Sequence, residues 1–196
     1  MKEDNPVPSL FPTAYLPPVS YLLSFVQSNP VMEKQEHFVK QTYRNRCYIC
    51  GPNGIQRLVV PVVHDDLYHM PVSEVRISYA EPWPKLHWRS IRTAYNNSPC
   101  FLYFEKEFEK VYENPPEKLF DLNLALFRLV LKCFQINKEI PFTNEYDPTF
   151  AGHDFRNAFS PNIRNEVPSY RQVFDDRHGF MTDVSCIDLL FNVGKI

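Results

Sequence analysis

The chain has 196 residues, of which 44% are hydrophobic and 15% aromatic, and its formal net charge at pH 7 is -2. This length and apolar content suffice for one domain with a sizeable core, which we expect over residues 1–196, and they exclude global disorder. The nearly balanced charge excludes bulk attraction to nucleic acid or to an anionic membrane surface. A site for an anion must therefore depend on a local group of cations.

The first third of the sequence predicts a parallel crossover unit followed by a hairpin. The expected elements are a strand at 7–11, a helix at 19–26 and a strand at 31–35. A strand, a helix and a strand in so short a stretch are typical of two parallel strands joined by a helix. Asn53-Gly54, between two strand-like runs, is a strong hairpin signal.

The remaining two thirds predict mainly helices. Further expected elements are a strand at 73–79, helices at 83–97, 101–112 and 116–136, a short strand at 170–174 and a helix at 183–193. Residues 141–169 show little periodicity and are expected to be functional or mobile. Together these elements predict an α/β fold in which a mixed β-sheet packs against helices, with α+β as the alternative.

Cysteines and termini indicate the compartment. The cysteine count is five, at irregular spacing, which predicts no disulfide framework. The N-terminal residues lack the features of a signal peptide, and the most apolar long segment, 119–136, is too polar to span a bilayer. We therefore expect a cytoplasmic protein without a membrane span.

Motifs for cofactors and metals are missing from the sequence. It contains no GxGxxG, Walker or GxSxG motif, and its five glycines exclude a glycine-rich phosphate loop. Cys47 and Cys50 lack a second ligand pair, so we expect no zinc site there. The group His64, Asp65, Asp66 and His69 is compatible with a metal site, but an exposed polar loop explains it better. We predict neither a cofactor nor a metal.

A row of cations precedes the predicted hairpin. If residues 38–48 are extended, one strand face carries Lys40, Thr42, Arg44 and Arg46. Asn45 then lies on the opposite face. Such a row is either a solvated surface or a site for a phosphate or carboxylate. Phosphate recognition, if present, must use these side chains or a helix N-terminus.

The helix predicted at 83–97 has two contrasting faces. One face carries Trp83, His87, Ser90, Ile91 and Ala94, and another carries Lys85, Arg89, Arg92 and Asn96. A histidine among apolar neighbours is either a core residue with a hydrogen-bond partner or a base that lines a pocket. In both cases burial beside Trp83 is expected to lower the pKa of His87.

Several segments together resemble one family of bacterial proteins. These are KQTYRNRCYI at 40–49, LVVPV at 58–62, WPKLHWRSIRTAYNNSPCF at 83–101, Asp154-Phe-Arg156, and VSCIDLLFN at 184–192. In this combination and order they resemble the WbqC-like proteins. The match extends over nearly the whole chain, although Asn162 and Asp183 depart from the family pattern.

The resemblance implies a role in the biosynthesis of O-antigen and other surface polysaccharides. It further implies a transferase acting on a sugar or nucleotide-sugar, with transfer of an aminoacyl group such as glycine. The resemblance does not identify a set of catalytic residues. The residues that stand on motif positions here are Lys40, Asn45, Arg46, His87, Ser90 and Tyr95.

The resulting hypothesis is an acyl or aminoacyl transferase with an anionic substrate. His87 would act as the base and Asn45 would stabilise an oxyanion, while the substrate would be bound by Lys40, Arg44, Arg46, Ser90, Tyr95, Asp154 and Arg156. Asp154 and Arg156 belong to the aperiodic segment and could close over the ligand. The alternative is a non-catalytic protein that binds a sugar or nucleotide, or an assembly factor. Binding of nucleic acid is disfavoured by the charge, and the sequence leaves the oligomeric state open.

Overall fold

The computed structural model describes residues 7–63, 67 and 69–196. Strand β1 (Pro8–Phe11), helix α1 (Val19–Gln27) and strand β2 (Asn29–Met32) form the predicted crossover unit, in which β1 and β2 are parallel. β2 begins and ends earlier than expected, and the Glu33 amide just after it still donates to the Phe11 carbonyl of β1 at 2.7 Å. The predicted unit is confirmed.

A parallel sheet in the order β2-β1-β5 is completed by strand β5 (His153–Asp154). Beyond β2, Phe142 pairs with Met32 in a single parallel bridge, which extends the sheet by one more short segment. The carboxyl ends of these strands lie at one edge. Glu33, which follows β2, and Arg156, which follows β5, are thereby brought to the same side of the molecule.

The predicted hairpin consists of strands β3 (Arg46–Gly51) and β4 (Gly54–Val59). Gly54 has φ +98°, a value that glycine adopts without strain. The extended segment predicted at 38–48 is wrong before Arg46. Gln41 there has φ +63°, which breaks the alternation of faces, so the four-residue cation row does not form.

The helices agree better with the prediction than the strands. Helices α2 (Trp83–Tyr95), α3 (Phe101–Glu113) and α4 (Leu119–Cys133) follow one another, and α5 (Asp175–His178) and α6 (Cys186–Val193) lie near the C-terminus. The strands expected at 73–79 and 170–174 are wrong. The first region contains a 3-10 turn, Val72–Glu74, and isolated bridges at Arg76 and Ile77 in place of a continuous ladder.

A single hydrophobic cluster connects both sheets and the long helices. At its centre the Phe127 ring of α4 meets the Phe25 ring of α1 edge-on, with centroids 4.8 Å apart. The α/β class is confirmed, with the parallel and antiparallel pairs in two separate sheets. Among the described residues, every helix is too short or too polar to cross a lipid bilayer.

Candidate functional site

Arg44 is engaged in a buried ion pair. Its Nε donates to Glu36 Oε1 at 2.8 Å and its Nη2 donates to Glu36 Oε2, a two-point contact between side chains that are each 6% exposed. Burial raises the pKa of Glu36, although the hydrogen bonds from Arg44 act in the opposite direction. Arg44 therefore has its carboxylate partner within the chain.

Arg156 is likewise held by the protein's own acceptors. Its guanidinium contacts the Asp154 carboxylate at 2.6 to 3.1 Å, and its Nη1 donates to the Asp147 carbonyl at 2.8 Å and lies 3.6 Å from Glu33 Oε2. The guanidinium also lies over the Tyr146 ring, 4.9 Å from its centroid. The hydrogen bond from Arg156 lowers the pKa of the Asp154 carboxyl.

The two arginines meet at the carboxyl edge of the parallel sheet. Arg44 Nη2 donates to the Arg156 carbonyl at 3.4 Å. In open α/β sheets this edge is the usual place for a ligand. Here it is filled by the cluster Glu33, Glu36, Arg44, Asp154 and Arg156. An external anion would have to displace carboxylates that already neutralise both guanidinium groups.

Lys40, Asn45 and Arg46 have separate environments. Lys40 is exposed, whereas Asn45 is buried and its Nδ2 donates to the Val60 carbonyl at 3.0 Å. Arg46 is half-buried, and its Nε lacks a hydrogen-bond partner among the described residues. Arg44 and Asn45 are thus structural in their contacts, and Lys40 is free to meet solvent.

His87 lies in a buried chain of hydrogen bonds. The Tyr15 hydroxyl is 2.8 Å from His87 Nδ1 and 2.7 Å from the Tyr112 hydroxyl, and the imidazole also bonds to the backbone of Val59. His87 is 6% exposed and packs edge-on against Trp83, with ring centroids 5.1 Å apart. Burial lowers the pKa of His87 to about 4, although the bond to Val59 works against this.

These contacts fix the state of the imidazole. The imidazole has a partner on each side, the Val59 backbone and the Tyr15 hydroxyl at Nδ1, so in the neutral ring one nitrogen donates and the other accepts. His87 is then neutral at pH 7 with both nitrogens occupied. Asn45 and His87 bond to consecutive residues of the hairpin arm, Val60 and Val59, but they do so from inside the protein.

Ser90 and Tyr95 differ in accessibility. Ser90 Oγ accepts from Gln56 Nε2 at 3.0 Å, in a contact that links α2 to β4 at the surface. Tyr95 is fully buried, and its hydroxyl accepts from the Cys50 amide at 3.2 Å, so that α2 is tied to β3. Burial raises the pKa of Tyr95. Among the predicted site residues, Ser90 is the one that lines a cavity described below.

Two adjoining cavities follow the exposed face of α2. The first, about 560 Å³, lies between the hairpin and α2 and is lined by Gln56, Arg57, Arg89, Ser90 and Thr93, with the turn residues 51–55. The second, about 510 Å³, shares Arg89 and Thr93 with it and adds Lys85, Trp88, Arg92 and Asn96. We call these two cavities together the basic groove.

The basic groove has a high density of exposed cations. Arg57, Lys85 and Arg89 are exposed, and Arg92 forms an ion pair with Glu105 at 3.0 Å. The helical row of Lys85, Arg89 and Arg92 is evident in the sequence, whereas the predicted anion site lies at other residues. Only the docking of the hairpin on α2 adds Arg57 from a distant part of the chain.

A third cavity, about 640 Å³, continues from the basic groove and shares Lys85 and Trp88 with it. Its other lining residues include Tyr79, Tyr112, Pro82, Pro84 and Pro115, together with Glu109 and Glu113. We call it the aromatic groove. It lies between the N-terminal end of α2 and the C-terminal end of α3. The Tyr112 in its wall is the last member of the hydrogen-bond chain from His87.

In the part of the chain that the structure describes, residues 7–63, 67 and 69–196, no group of three or more His, Cys, Asp or Glu side chains is arranged to hold a metal ion. His69 lies beside His37, with the two Nδ1 atoms 3.2 Å apart. The loop residues His64, Asp65 and Asp66, for which the sequence favours an exposed polar loop, lie outside the described residues.

The hairpin and α2 both lie within the part of the chain that matches a known protein family. The model of the WbqC-like protein family matches residues 13–157, so the chain belongs to this family. It is also similar to "Uncharacterized protein Rv1507c" of Mycobacterium tuberculosis (strain ATCC 25618 / H37Rv), at 25% identity over 92% of this chain and 90% of that protein. No solved structure matches the chain.

Proposed function

We propose that the protein is a transferase of bacterial surface-polysaccharide biosynthesis that acts on a phosphorylated or nucleotide-linked sugar and binds its phosphate in the basic groove. The observation that carries the proposal is the convergence of Arg57, Lys85 and Arg89 on one open groove. Exposed guanidinium groups bind phosphate oxygens through paired, charge-assisted hydrogen bonds. Ser90, Gln56 and Asn96 add neutral polar groups that fit hydroxyls.

The proposed reaction is the transfer of an acyl or aminoacyl group, such as glycine, to the sugar. An amine or hydroxyl of the sugar attacks the activated carbonyl carbon, a new amide or ester bond forms, and the bond to the leaving group breaks. The nucleophile's proton must go to a base. His87 can receive it only through Tyr112 and Tyr15, because its two nitrogens bond to Tyr15 and Val59.

A second candidate function, a non-catalytic sugar- or nucleotide-binding protein of the same pathway, is favoured by the position of His87. An imidazole whose pKa is lowered to about 4 by burial is a weak base. The engagement of Arg44 and Arg156 by carboxylates likewise supports a structural role for the carboxyl edge. Binding in the basic groove is common to both candidates.

A cytoplasmic location, where nucleotide-linked sugars and activated amino acids occur, is part of the proposal. All five cysteines are free thiols, as expected for a reducing compartment. Cys47 and Cys50 are both buried in β3, which protects them from oxidation.

The binding step is tested by the thermal stability of the protein with UDP-glucose, UDP-N-acetylglucosamine, GDP-mannose and dTDP-glucose. We expect at least one of them to raise the melting temperature in a saturable manner. The double variant Arg57→Glu/Arg89→Glu should weaken its binding roughly tenfold or more, since charge-assisted contacts are lost. Arg128→Glu, on the exposed side of α4, is the matched control and should have no effect.

The transfer step is tested with the bound sugar, a glycyl thioester as activated donor, and isotopically labelled glycine. Appearance of label on the sugar supports the transferase, and its loss in His87→Gln with unchanged sugar binding assigns the base. Saturable binding without transfer from the thioester or from glycyl-tRNA supports the binding protein instead. If the double glutamate variant binds every sugar as tightly as the unmodified protein, the basic groove is not the site.

A further inference from the structure

The aromatic groove has the composition of a surface on which a flat, partly apolar ligand rests. The Trp88 and Tyr112 rings are nearly parallel, with an interplanar angle of 21° and centroids 5.7 Å apart. Tyr79 is 46% exposed. Trp88 and Tyr112 are 9% and 4% exposed, so they form the packed floor of the groove, and Tyr79 is its accessible ring. A rigid, accessible aromatic ring supplies large contact area at low entropic cost.

The rings of this groove are held in place by hydrogen bonds. The Tyr79 hydroxyl donates to the Pro116 carbonyl at 2.7 Å, which fixes the ring over the start of the loop before α4. Trp88 Nε1 donates to Glu109 Oε1 at 3.0 Å, which links α2 to α3 across the floor. The surface is therefore formed before any ligand arrives.

Charges are separated along the surface. Glu109 and Glu113 lie in the aromatic groove, whereas Arg57 and Arg89 lie in the basic groove, and Lys85 is shared by both. The carboxylates repel phosphate and accept hydrogen bonds, so they select a part of the ligand that is rich in donors. The cations select the anionic part. A ligand that satisfies both ends has a neutral, hydroxyl-rich ring joined to a phosphate.

We propose that the aromatic groove is the ring subsite for the sugar of the phosphorylated ligand. The C–H face of a pyranose packs on the exposed Tyr79 ring, above the floor that Trp88 forms, and its hydroxyls donate to the carboxylates of Glu109 and Glu113. The phosphate attached to the ring lies towards Lys85 and Arg89. This inference rests on the proposed function, because it takes the basic groove as the phosphate subsite.

This arrangement excludes two other occupants by chemistry. A pyrimidine base such as uracil offers one donor along its edge, and two carboxylate-bearing residues would leave its carbonyl acceptors facing negative charge. An alkyl chain would offer no donor to the Glu113 carboxylate and would take water from it, at a cost in free energy. A sugar ring meets both the aromatic faces and the acceptors.

The experiment is a calorimetric titration with glucose 1-phosphate, galactose 1-phosphate and mannose 1-phosphate, each compared with inorganic phosphate. Tyr79→Ala removes an exposed ring and should weaken the best hexose 1-phosphate roughly three- to tenfold. Glu113→Gln should weaken it by a similar factor. Neither change should alter the affinity for inorganic phosphate, which contacts only the basic groove.

Two matched variants separate the ring subsite from effects on folding. Tyr79→Phe keeps the ring but loses the hydrogen bond to Pro116, and it should retain most of the affinity for the hexose 1-phosphate. Tyr103→Ala removes a tyrosine that is 81% exposed on α3, and it should change nothing. All variants must give the same circular dichroism spectrum.

The outcomes distinguish this inference from the proposed function. Arg89→Glu should weaken both the hexose 1-phosphate and inorganic phosphate. If it does so while Tyr79→Ala and Glu113→Gln leave the hexose 1-phosphate unchanged, the basic groove stands and the ring subsite is overturned. If Arg89→Glu changes neither ligand, the proposed function itself fails. Absence of binding by all three hexose 1-phosphates at millimolar concentration also overturns the ring subsite.

Discussion

The hydroxyl of Tyr15 and Nδ1 of His87 share a hydrogen bond of 2.8 Å, and this contact joins the segment between β1 and α1 to the middle of α2. The same hydroxyl lies 2.7 Å from the Tyr112 hydroxyl of α3. Three parts of the chain thus meet in one buried polar contact. Since the imidazole is neutral there, protonation of His87 must weaken the fold.

The first prediction concerns acid lability through His87. Its pKa is lowered to about 4 in the folded protein, against about 6.5 when unfolded, so the unfolded state binds more protons between these values. The contribution of neutral His87 to the free energy of unfolding is then fully present above pH 6.5, and it falls by roughly 3 kcal/mol as the pH decreases to 4. Urea unfolding of the wild type and of His87→Gln, measured from pH 4 to 8, checks this.

In that comparison His87→Gln should be less stable than the wild type at pH 8, because the glutamine side chain does not match the shape of the imidazole ring and lacks its acceptor nitrogen. Its free energy of unfolding should depend less steeply on pH between 4 and 6.5. An identical slope in both proteins would contradict the assignment of a neutral, buried imidazole. Tyr15→Phe provides the control, since it removes the hydroxyl and leaves the histidine in place.

The second prediction concerns Asp188 in α6, whose slope has the opposite sign. Burial raises the pKa of its carboxyl to about 6, although hydrogen bonds from Tyr170 and Gln172 at 2.7 and 2.8 Å act against this. The folded state therefore binds more protons than the unfolded state between about pH 4 and 6. The contribution of Asp188 to the free energy of unfolding is greatest at low pH, and it decreases by roughly 3 kcal/mol as the pH rises through 6.

Replacement of Asp188 by Asn keeps an acceptor for Tyr170 and Gln172 without the buried charge. We expect a melting temperature above that of the wild type at pH 8, and little difference at pH 4. Calorimetry at both pH values measures this. A loss of stability at pH 8 would show that the ionised carboxylate is better accommodated than its burial indicates. Asp176→Asn, in the exposed helix α5, is the matched control.

The third prediction tests the ion pair between Arg44 and Glu36. Arg44→Met leaves the Glu36 carboxylate buried without its partner, at a cost of roughly 3–5 kcal/mol in the free energy of unfolding. The double replacement Arg44→Met/Glu36→Met removes both charges and should recover much of that loss. Denaturant titration of the wild type, the two single variants and the double variant gives the coupling free energy between Arg44 and Glu36.

The control for that cycle is the exposed pair Glu107 and Lys110 on α3, whose closest atoms are 3.0 Å apart. Lys110→Met should have no measurable effect, because exposed pairs are well screened by water and salt. If Arg44→Met is equally harmless, then water or a rearranged side chain neutralises Glu36. The carboxyl edge of the sheet would then be more open than its contacts indicate.

The fourth prediction concerns Gly152, which comes just before β5. A Cβ atom added there would lie 2.3 Å from the Pro8 carbonyl oxygen, a backbone atom of β1 that cannot move away freely. Gly152→Ala should therefore destabilise the protein by roughly 1–3 kcal/mol, as for other overpacked sites. Thermal unfolding measures the change.

Gly51→Ala in β3 serves as the comparison, since its added Cβ would come no closer than 3.4 Å to the Gly54 carbonyl oxygen. Its effect on the melting temperature should be much smaller than that of Gly152→Ala. Equal effects of the two replacements would contradict the close approach of β5 to β1. Gly152→Ala should also speed hydrogen exchange of the Phe155 amide, which donates to the Leu10 carbonyl at 2.8 Å across this contact.

Local sequence signals were reliable where the chain itself supplied the cause. Asn53-Gly54 determined the hairpin, since a glycine with φ +98° closes it. Pro18 directly precedes α1, and Gly194, with φ +78°, directly follows α6. The strand expected at 170–174 does not form, because these residues have no partner strand in the described structure.

By itself, the sequence determined the α/β class, the order of the crossover unit, hairpin and helices, and the family, because these depend on short-range periodicity, turn residues and contiguous motifs. Only the tertiary structure decided which cations are free. Arg44 and Arg156 looked like ligand residues, but the fold turns Glu36 and Asp154 towards them and brings Glu33 to Arg156 from another part of the chain. Arg57 joins Arg89 only when the hairpin packs on α2. The direction of a side chain and the burial around it depend on tertiary packing, and linear spacing does not encode them.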